Sequence, residues 1–352
     1  MKRFDERDVM FSRMSYKKGS KEYKDYYENN PDKKELDDQL REMPGLLSEG
    51  SATFDPVNAP MINSAFKFLS DIHHLADGKP GPEKIDTDPA VITKKLKGLA
   101  KEYGAGLVGI TGLTEDLYYS HRGRKAEHYG QKIDEYHKYA VVFAVEMEED
   151  TINRAPALGA ALETTKGYVK GAMIGMILSY AIRELGYPAR NHMDGNYLLP
   201  GTFVAEKAGL GEIGRMGLLI TKEYGPRIRL GIVTTDLELV PDERVDFGLK
   251  DFCLVCKKCI RTCPGKSIND GPGEIIEGIR RWKNDPESCF KVWQNIGTDC
   301  GICLTSCPLS HNVSSELLEN MKDDKRIMKK ILEEHEEKYK LRPFNNSPHN
   351  WL

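Results

Sequence analysis

The sequence predicts a mixed α/β domain with a cysteine-rich module behind it. Three observations carry that reading. Three short apolar runs, Gly106 to Thr111 (GLVGIT), Tyr139 to Val145 (YAVVFAV) and Arg229 to Thr235 (RLGIVTT), have the length and composition of buried strands. Segments with helical periodicity lie between them, the longest from Ala157 to Leu185. All eight cysteines fall in the last third of the chain, between Cys253 and Cys307.

The whole-chain properties are those of an ordinary soluble protein. The chain has 352 residues, enough for one to three domains, with 39% hydrophobic and 30% charged residues. Its formal net charge is −3, so no bulk field draws it to nucleic acid or anionic lipid, and neither is an expected partner. The longest nearly apolar run, Ala172 to Ile182, is too short to span a bilayer, and no transmembrane segment is expected. The opening MKRFDERDVMFSRM has no apolar stretch after its basic residues and no twin-arginine pair, so a cytoplasmic location is expected. A reducing compartment would keep the thiols free for metal.

Taken in order, residues 1–90 read as a wrap around a core: a charged helical patch from Lys33 to Met43, a stop at Pro44-Gly45, then Gly-, Pro-, Asn- and Asp-rich chain with one short helix near Ser64 to Leu75. Residues 91–250 form the α/β domain. It begins with a helix from Val91 to Tyr103, stopped by Gly104. The long helix is stopped by Gly186 and Pro188, and a shorter one covers Thr202 to Ala208. Residues 251–312 hold the cysteines, and residues 313–352 a charged amphipathic helix from Ser314 to Lys340 and a tail.

Cys253, Cys256, Cys259 and Cys263 read C-x2-C-x2-C-x3-C-P; Cys300, Cys303 and Cys307 read C-x2-C-x3-C-P, with Cys289 upstream. Four thiolates hold one four-iron, four-sulfur cubane, so eight cysteines make two clusters. In two-cluster ferredoxins the last cysteine of each run serves the other cluster. That rule puts Cys253, Cys256, Cys259 and Cys307 on one cluster and Cys263, Cys289, Cys300 and Cys303 on the other. C-x2-C-x2-C loops are poor disulfide geometry. Zinc also uses C-x2-C pairs, but the triple run and the following Pro264 and Pro308 favour iron–sulfur. Such a pair moves electrons.

Gly209-Leu-Gly211-Glu-Ile-Gly214 matches G-x-G-x-x-G, but a helix end precedes it and a strand, Leu218 to Thr221, follows. The order is the reverse of a dinucleotide site, and the segment is expected to be a compact turn able to approach a large ligand. On the long helix, Tyr168, Gly171, Ala172, Gly175 and Ser179 share one face. Close packing by a second helix explains small residues there; a flat cofactor under Tyr168 is the sharper alternative. Downstream, the turn from His192 to Tyr197 and the pair Arg227 and Arg229 supply donors. A Tyr, an Asn and an Arg together can deliver a proton and steady the anion left behind. His73, His74, His121 and His192 have no metal-ligand spacing.

With these pieces placed, the chain resembles the cobalamin-dependent reductive dehalogenases over nearly its whole length. The resemblance lies in FDERDVMFSRM, MPGLLSEG, LYYSHRGR (Leu117 to Arg124) and YAVVFAVEM (Tyr139 to Met147), and above all in KAGLGEIGRMGLLIT (Lys207 to Thr221) and GPRIRLGIVTTDL (Gly225 to Leu237). The cysteine block is shared with the related epoxyqueuosine reductases. The resemblance implies a nitroreductase-like core, residues 91–250, holding a base-off corrinoid with no histidine ligand, and a ferredoxin-like domain with two 4Fe-4S clusters beside it. It implies electrons from a separate ferredoxin, flavodoxin or reductase, a small and possibly halogenated organic substrate, and a tyrosine as proton donor. That tyrosine is Tyr168, with Arg229 or its neighbour Arg227 as the basic partner and Asn196 as a further site residue. Corrinoid contacts fall to Lys207, Gly209, Gly211, Gly214 and Tyr197. Two other functions are expected alternatives: an epoxyqueuosine-type tRNA-modifying reductase using Asp194 as acid, and an electron-transfer or corrinoid-handling protein without catalysis.

Overall fold

Four antiparallel strands organise the middle of the chain. The computed structural model describes residues 3–134 and 136–352; residues 1, 2 and 135, the first two of them in the N-terminal wrap, lie outside the described residues. In chain order the strands are β1 (Leu107–Gly112), β2 (Tyr139–Glu146), β3 (Ala189–His192), β4 (Glu212–Ile213), β5 (Leu219–Ile220), β6 (Ile228–Thr235), β7 (Glu274–Ile276) and β8 (Ile279–Arg281). The main sheet has the order β1-β2-β6-β3, every neighbour antiparallel, while β4-β5 and β7-β8 are separate two-stranded ribbons.

The sheet is covered on both faces, which is why its central strands are apolar at successive positions. Val141, Phe143 and Val145 meet Ile92 and Leu96 of the helix Pro89–Glu102 and Ile174, Leu178 and Ile182 of the long helix Leu158–Glu184. Ala140, Val142 and Ala144 turn the other way, onto Leu199, Val204, Ala205 and Leu210. Asp88 starts the first of these helices by accepting from the amides of Ala90 and Val91.

Strand β3 was not legible in the sequence, because Ala189-Arg-Asn-His192 has no apolar alternation. It is fully buried all the same, and its polar side chains are individually bonded. Arg190 donates to Asn196 Oδ1 at 2.8 Å, Asn191 to the Ala172 carbonyl at 3.1 Å, and His192 Nε2 lies 2.9 Å from Thr234 Oγ1.

The N-terminal segment is more helical than its composition suggests. Helices Met10–Ser15, Lys21–Asn29 and Pro31–Glu42 pack around Tyr16, Tyr23, Tyr26 and Tyr27. Buried Arg13 ties them together, pairing with Asp37 at 2.6 Å and with Glu287 at 2.5 Å. Glu287 belongs to the helix Pro286–Ile296, which carries Cys289, so the N-terminal helices are anchored on the cysteine segment. Asp55 accepts from the amides of Val57 and Asn58 and starts a helix, Asn58–Asp71, longer than the short one expected.

At the other end, the single helix expected from Ser314 to Lys340 is two, Ser315–Glu319 and Lys325–Tyr339, because Asp324 accepts from the Arg326 amide and begins a new one. Leu317, Leu318, Met321, Met328 and Ile331 share one core with Phe247, Leu249, Phe252, Cys256, Cys307 and Leu309. Among the described residues no helix is long and apolar enough to cross a membrane.

Two consequences can be measured. Gly109 faces the Ala208 carbonyl and Leu210 so closely that an added Cβ would collide with both. Gly109→Ala should cost about 1–3 kcal/mol in denaturant unfolding, as overpacking against backbone does. His335 is buried with no hydrogen-bond partner on either ring nitrogen, its ring 5.4 Å from that of His311. Burial, reinforced by nearby Lys258 and His311, pulls its pKa down to about 3 from 6.5. The unfolded chain therefore binds this proton first. The stability it contributes is complete above about pH 6.5 and falls as pH drops toward 3. His335→Leu should lose less stability than the parent between pH 7 and pH 5 in urea titrations; an equal loss in both would refute this.

Candidate functional site

The long helix and β6 meet where Tyr168 and Arg229 face each other. Arg229 Nη1 donates to the Tyr168 hydroxyl at 3.4 Å, and its guanidinium lies 4.8 Å from the centre of the phenol ring. Its Nη2 donates to Thr164 Oγ1 at 2.6 Å and stands 4.0 Å from Asp299 Oδ1. Arg229 Nε is buried without a partner. Gly167 makes the approach feasible, since a Cβ there would sit 2.6 Å from Arg229 Cγ. Phe66, from the helix Asn58–Asp71, covers the phenol at 6.3 Å.

Burial dominates the electrostatics of the pair. It pushes the Tyr168 phenol above its usual value of 10; Arg229 and Arg124 pull it back, while Asp194 and Asp299 push with burial. Arg229 offsets part of the effect of burial without cancelling it, so Tyr168 holds its proton at neutral pH. Burial also works against the Arg229 cation, but Tyr168, Asp299, Tyr197 and Asp194 outweigh it and its pKa rises. Tyr197 is raised well above 10, by burial first and then by Tyr168 and Asp194.

The other expected site residues are distributed unevenly. Arg227 is turned away from the phenol. Its guanidinium donates to the carbonyls of Ser310 at 2.7 Å and Met147 at 2.6 Å and pairs with Glu146 at 2.9 Å. It precedes β6, in a turn where its amide bonds the Tyr224 carbonyl, so it lies outside the strand that carries Arg229. Asn196 is buried and shapes its own turn, its Oδ1 accepting from Arg190 at 2.8 Å and its Nδ2 donating to the His73 carbonyl at 3.4 Å.

An added Cβ at each glycine of the G-x-G-x-x-G segment would meet the chain itself: the Glu243 carbonyl at Gly209, the Ile220 carbonyl at Gly211, and the Ile220 side chain at Gly214, where it would stand 3.7 Å from Cys253 Sγ. The segment is the compact turn expected, between the helix Gly201–Lys207 and the β4-β5 ribbon. Lys207 lines a separate pocket with Phe4, Asp116, Phe203, Arg244 and Arg281. Burial lowers its pKa. The small face of the long helix serves packing as well: Gly175 admits the Asn191 amide and Ala172 joins Leu69 and Met193.

Thr164, Asp299 and Arg124 were not anticipated. Thr164 had a readable signal, one helical turn before Tyr168. Asp299 had only its position beside Cys300.

The cysteines fall into two neighbourhoods. Cys253, Cys256, Cys259 and Cys307 line one pocket, together with Arg215, Ile220 and Phe252. Burial and mutual crowding push the thiols of Cys256 and Cys259 up to about 12, and that of Cys307 well above 9. Arg215 is fully buried, and its Nη2 has no hydrogen-bond partner. The second set adjoins the first. Burial raises Cys300 to about 11, with Cys289 and Cys263 as its thiol neighbours, and Cys303 feels Cys259, Cys300, Cys289 and Cys263. Cys263 Sγ accepts from the Ser267 amide at 3.4 Å.

No group of three or more His, Cys, Asp or Glu among the described residues is gathered as ligands of a single metal ion would be. Four thiols round a pocket, hard to ionise together and facing an orphaned guanidinium N–H, are a donor set that iron cations and acceptor sulfides would satisfy. His192 has both ring nitrogens engaged, one with Thr234 and one with the Leu198 amide, and is not free to bind metal.

No family model matches the chain. It is 33% identical over 258 residues to the tetrachloroethene reductive dehalogenase of Sulfurospirillum multivorans, covering 64% of this chain and 51% of that protein. A tetrachloroethene reductive dehalogenase of Desulfitobacterium hafniense is 31% identical over 265 residues, with coverage of 61% and 47%. The epoxyqueuosine reductase of Lactococcus garvieae (strain Lg2) is 32% identical over 127 residues, 34% of this chain and 35% of that one.

A solved catabolic reductive dehalogenase in complex with 3-bromo-4-hydroxybenzoic acid superimposes with a TM-score of 0.78 at 25% identity, covering 96% of this chain and 46% of that one. A second, described as suggesting a mechanism for B12-dependent dehalogenation, gives 0.73 at 26% identity, with coverage of 86% and 46%. The chain spans about half the length of the dehalogenases it matches. It has the mixed α/β fold of these enzymes and is a homologue of oxidoreductases. Its curated and structural neighbours are reductive dehalogenases and, more distantly, epoxyqueuosine reductases.

The two arginines should separate cleanly on mutation. Arg227→Met should cost about 1.5–3 kcal/mol in urea unfolding, because it strips charged hydrogen bonds from buried carbonyls, and should leave the Tyr168 proton affinity where it is. Arg229→Met should raise that affinity, read from the alkaline titration of the Tyr168 ring by carbon-13 NMR.

Proposed function

We propose that the chain carries out reductive dehalogenation of a small organic molecule, replacing a carbon-bound halogen by hydrogen. The overall change takes two electrons and one proton and releases halide. In this reading residues 91–250 hold a corrinoid, residues 251–312 form a ferredoxin-like unit with two 4Fe-4S clusters, and electrons come from a separate ferredoxin, flavodoxin or reductase. A corrinoid, when bound, supplies a low-valent cobalt able to reduce a carbon–halogen bond. Cys253, Cys256, Cys259 and Cys307 would hold one cluster; Cys263, Cys289, Cys300 and Cys303 would hold the other.

One observation carries the reading: a half-buried phenol, Tyr168, receives a hydrogen bond from Arg229 at 3.4 Å, and Arg229 stands 4.0 Å from the residue next to Cys300. A proton source thus lies beside a thiol set suited to electron delivery. Tyr168 acts as general acid from its hydroxyl. The elevated pKa keeps that proton in place until a stronger base forms at the reacting carbon. Arg229 then steadies the phenolate, and its charge becomes most useful as the proton leaves. Phe66 and the flanking helix limit the access of water to the phenol.

Protein produced without oxygen and supplied with corrinoid should bind about one cobalt per chain, the stoichiometry of a single corrinoid site. With reduced methyl viologen it should release halide from at least one of a panel of halogenated phenols and aliphatics. Tyr168→Phe should slow turnover about 10²–10⁴-fold, the usual contribution of a general acid. Failure to bind corrinoid, or equal rates in the two proteins, would refute the proposal.

A further inference from the structure

We propose that Asp299 is a positioning residue: through the Thr164 hydroxyl it holds Arg229 in the pose that turns Nη1 onto Tyr168. This rests on the reading of Tyr168 as the proton donor and adds a residue to it.

An arginine side chain has many rotamers open to it. Fixing one costs rotamer entropy, so a guanidinium that must keep one nitrogen on a phenol needs anchors elsewhere. Arg229 has two, both on Nη2: Thr164 Oγ1 at 2.6 Å and Asp299 Oδ1 at 4.0 Å. A hydroxyl has one hydrogen to give and lone pairs to receive. Thr164 accepts from Arg229 and gives its own hydrogen to Asp299, whose carboxyl is lowered by that bond against the rise that burial imposes.

The polarity therefore runs without a break from Asp299 through Thr164 to Arg229 and on to Tyr168. The charged or titratable groups acting on this chain are Tyr197, Asp194 and Arg124. Arg229 Nε has no hydrogen-bond partner, so the pose rests on the two terminal nitrogens. Asp299 also sits between buried Thr298 and buried Cys300. The phenol's partner is thereby fixed by a residue of the cysteine loop, and an ordered loop is required for the pose.

Two roles for Asp299 predict opposite signs. As a bare anion near Tyr168 it would raise the phenol's pKa, and its removal would lower it. As an anchor it keeps the Arg229 cation in place, and its removal would raise it. The test is the alkaline titration of Tyr168 in anaerobically reconstituted protein labelled with carbon-13 at the tyrosine ring, the resonance assigned by its loss in Tyr168→Phe.

Asp299→Ala and Thr164→Val should each raise the Tyr168 pKa by about one unit, a tenfold change in acid dissociation. Asp299→Glu should return most of that shift. A fall or no change in Asp299→Ala would overturn the proposal. Should that variant fail to fold by circular dichroism, Thr164→Val decides alone, since it keeps the Asp299 charge and removes only the link. If the parent protein released no halide from any substrate, the dehalogenase reading would fail while the titration still judged Asp299.

Discussion

Arg229 reaches Tyr168 only because the long helix has no side chain at Gly167, where a Cβ would stand 2.6 Å from Arg229 Cγ. That gap lets one guanidinium on β6 join two other parts of the chain: the long helix, through Thr164 and Tyr168, and the cysteine loop, through Asp299. Each contact alone is modest. Together they fix a cation in a place where burial would otherwise exclude it, and the surrounding groups raise its pKa against that penalty. Removing Asp299 leaves the guanidinium without its paired carboxylate, which is expensive in a low-dielectric interior.

The cysteine segment depends on the rest of the chain in a comparable way. Its thiols crowd one another. The stabilising mass comes from elsewhere: Phe247, Leu249 and Phe252 before it, and Leu317, Met321, Met328 and Ile331 after it. The N-terminal helices add a second anchor through Arg13 and Glu287. Breaking a buried pair such as Arg13 with Asp37 leaves one charge stranded. The first fifty residues are therefore structurally tied to the cysteine segment, although their composition reads as a loose charged extension.

What the residues disclosed follows from the physical signals each carries. Strands β1, β2 and β6 and the long helix are legible because burial on both sheet faces leaves an unbroken apolar run and helical periodicity spans many turns. Strand β3 is silent because its burial is satisfied by hydrogen bonds and not by apolar contact. Tyr168 and Arg229 could be named from the sequence, but the choice between Arg229 and Arg227 could not. It depends on where a turn ends and a strand begins, within two residues. The G-x-G-x-x-G segment shows the same limit from the other side. Its glycines admit close approach, and on the side where a Cβ would point the neighbour is the backbone at Glu243 and Ile220. A glycine pattern reports that something comes near; it does not report what. Asp299 carries no pattern at all, since its role comes from a meeting of two distant segments.

The balance of charge around the phenol bears on what chemistry the site favours. Arg229 and Arg124 pull the Tyr168 pKa down, and Asp194 and Asp299 push it up, so the formal charges nearly cancel. Desolvation is then the deciding influence, and it favours the neutral phenol. A donor kept neutral by burial is slow to lose its proton to water and quick to lose it to a strong base generated beside it, because only then does the guanidinium's attraction for the phenolate come fully into play. A carbon centre that has just lost halide is such a base, whereas an incoming carboxylate or phosphate is not. A site with its cations already matched by its own carboxylates has little attraction left for an anion.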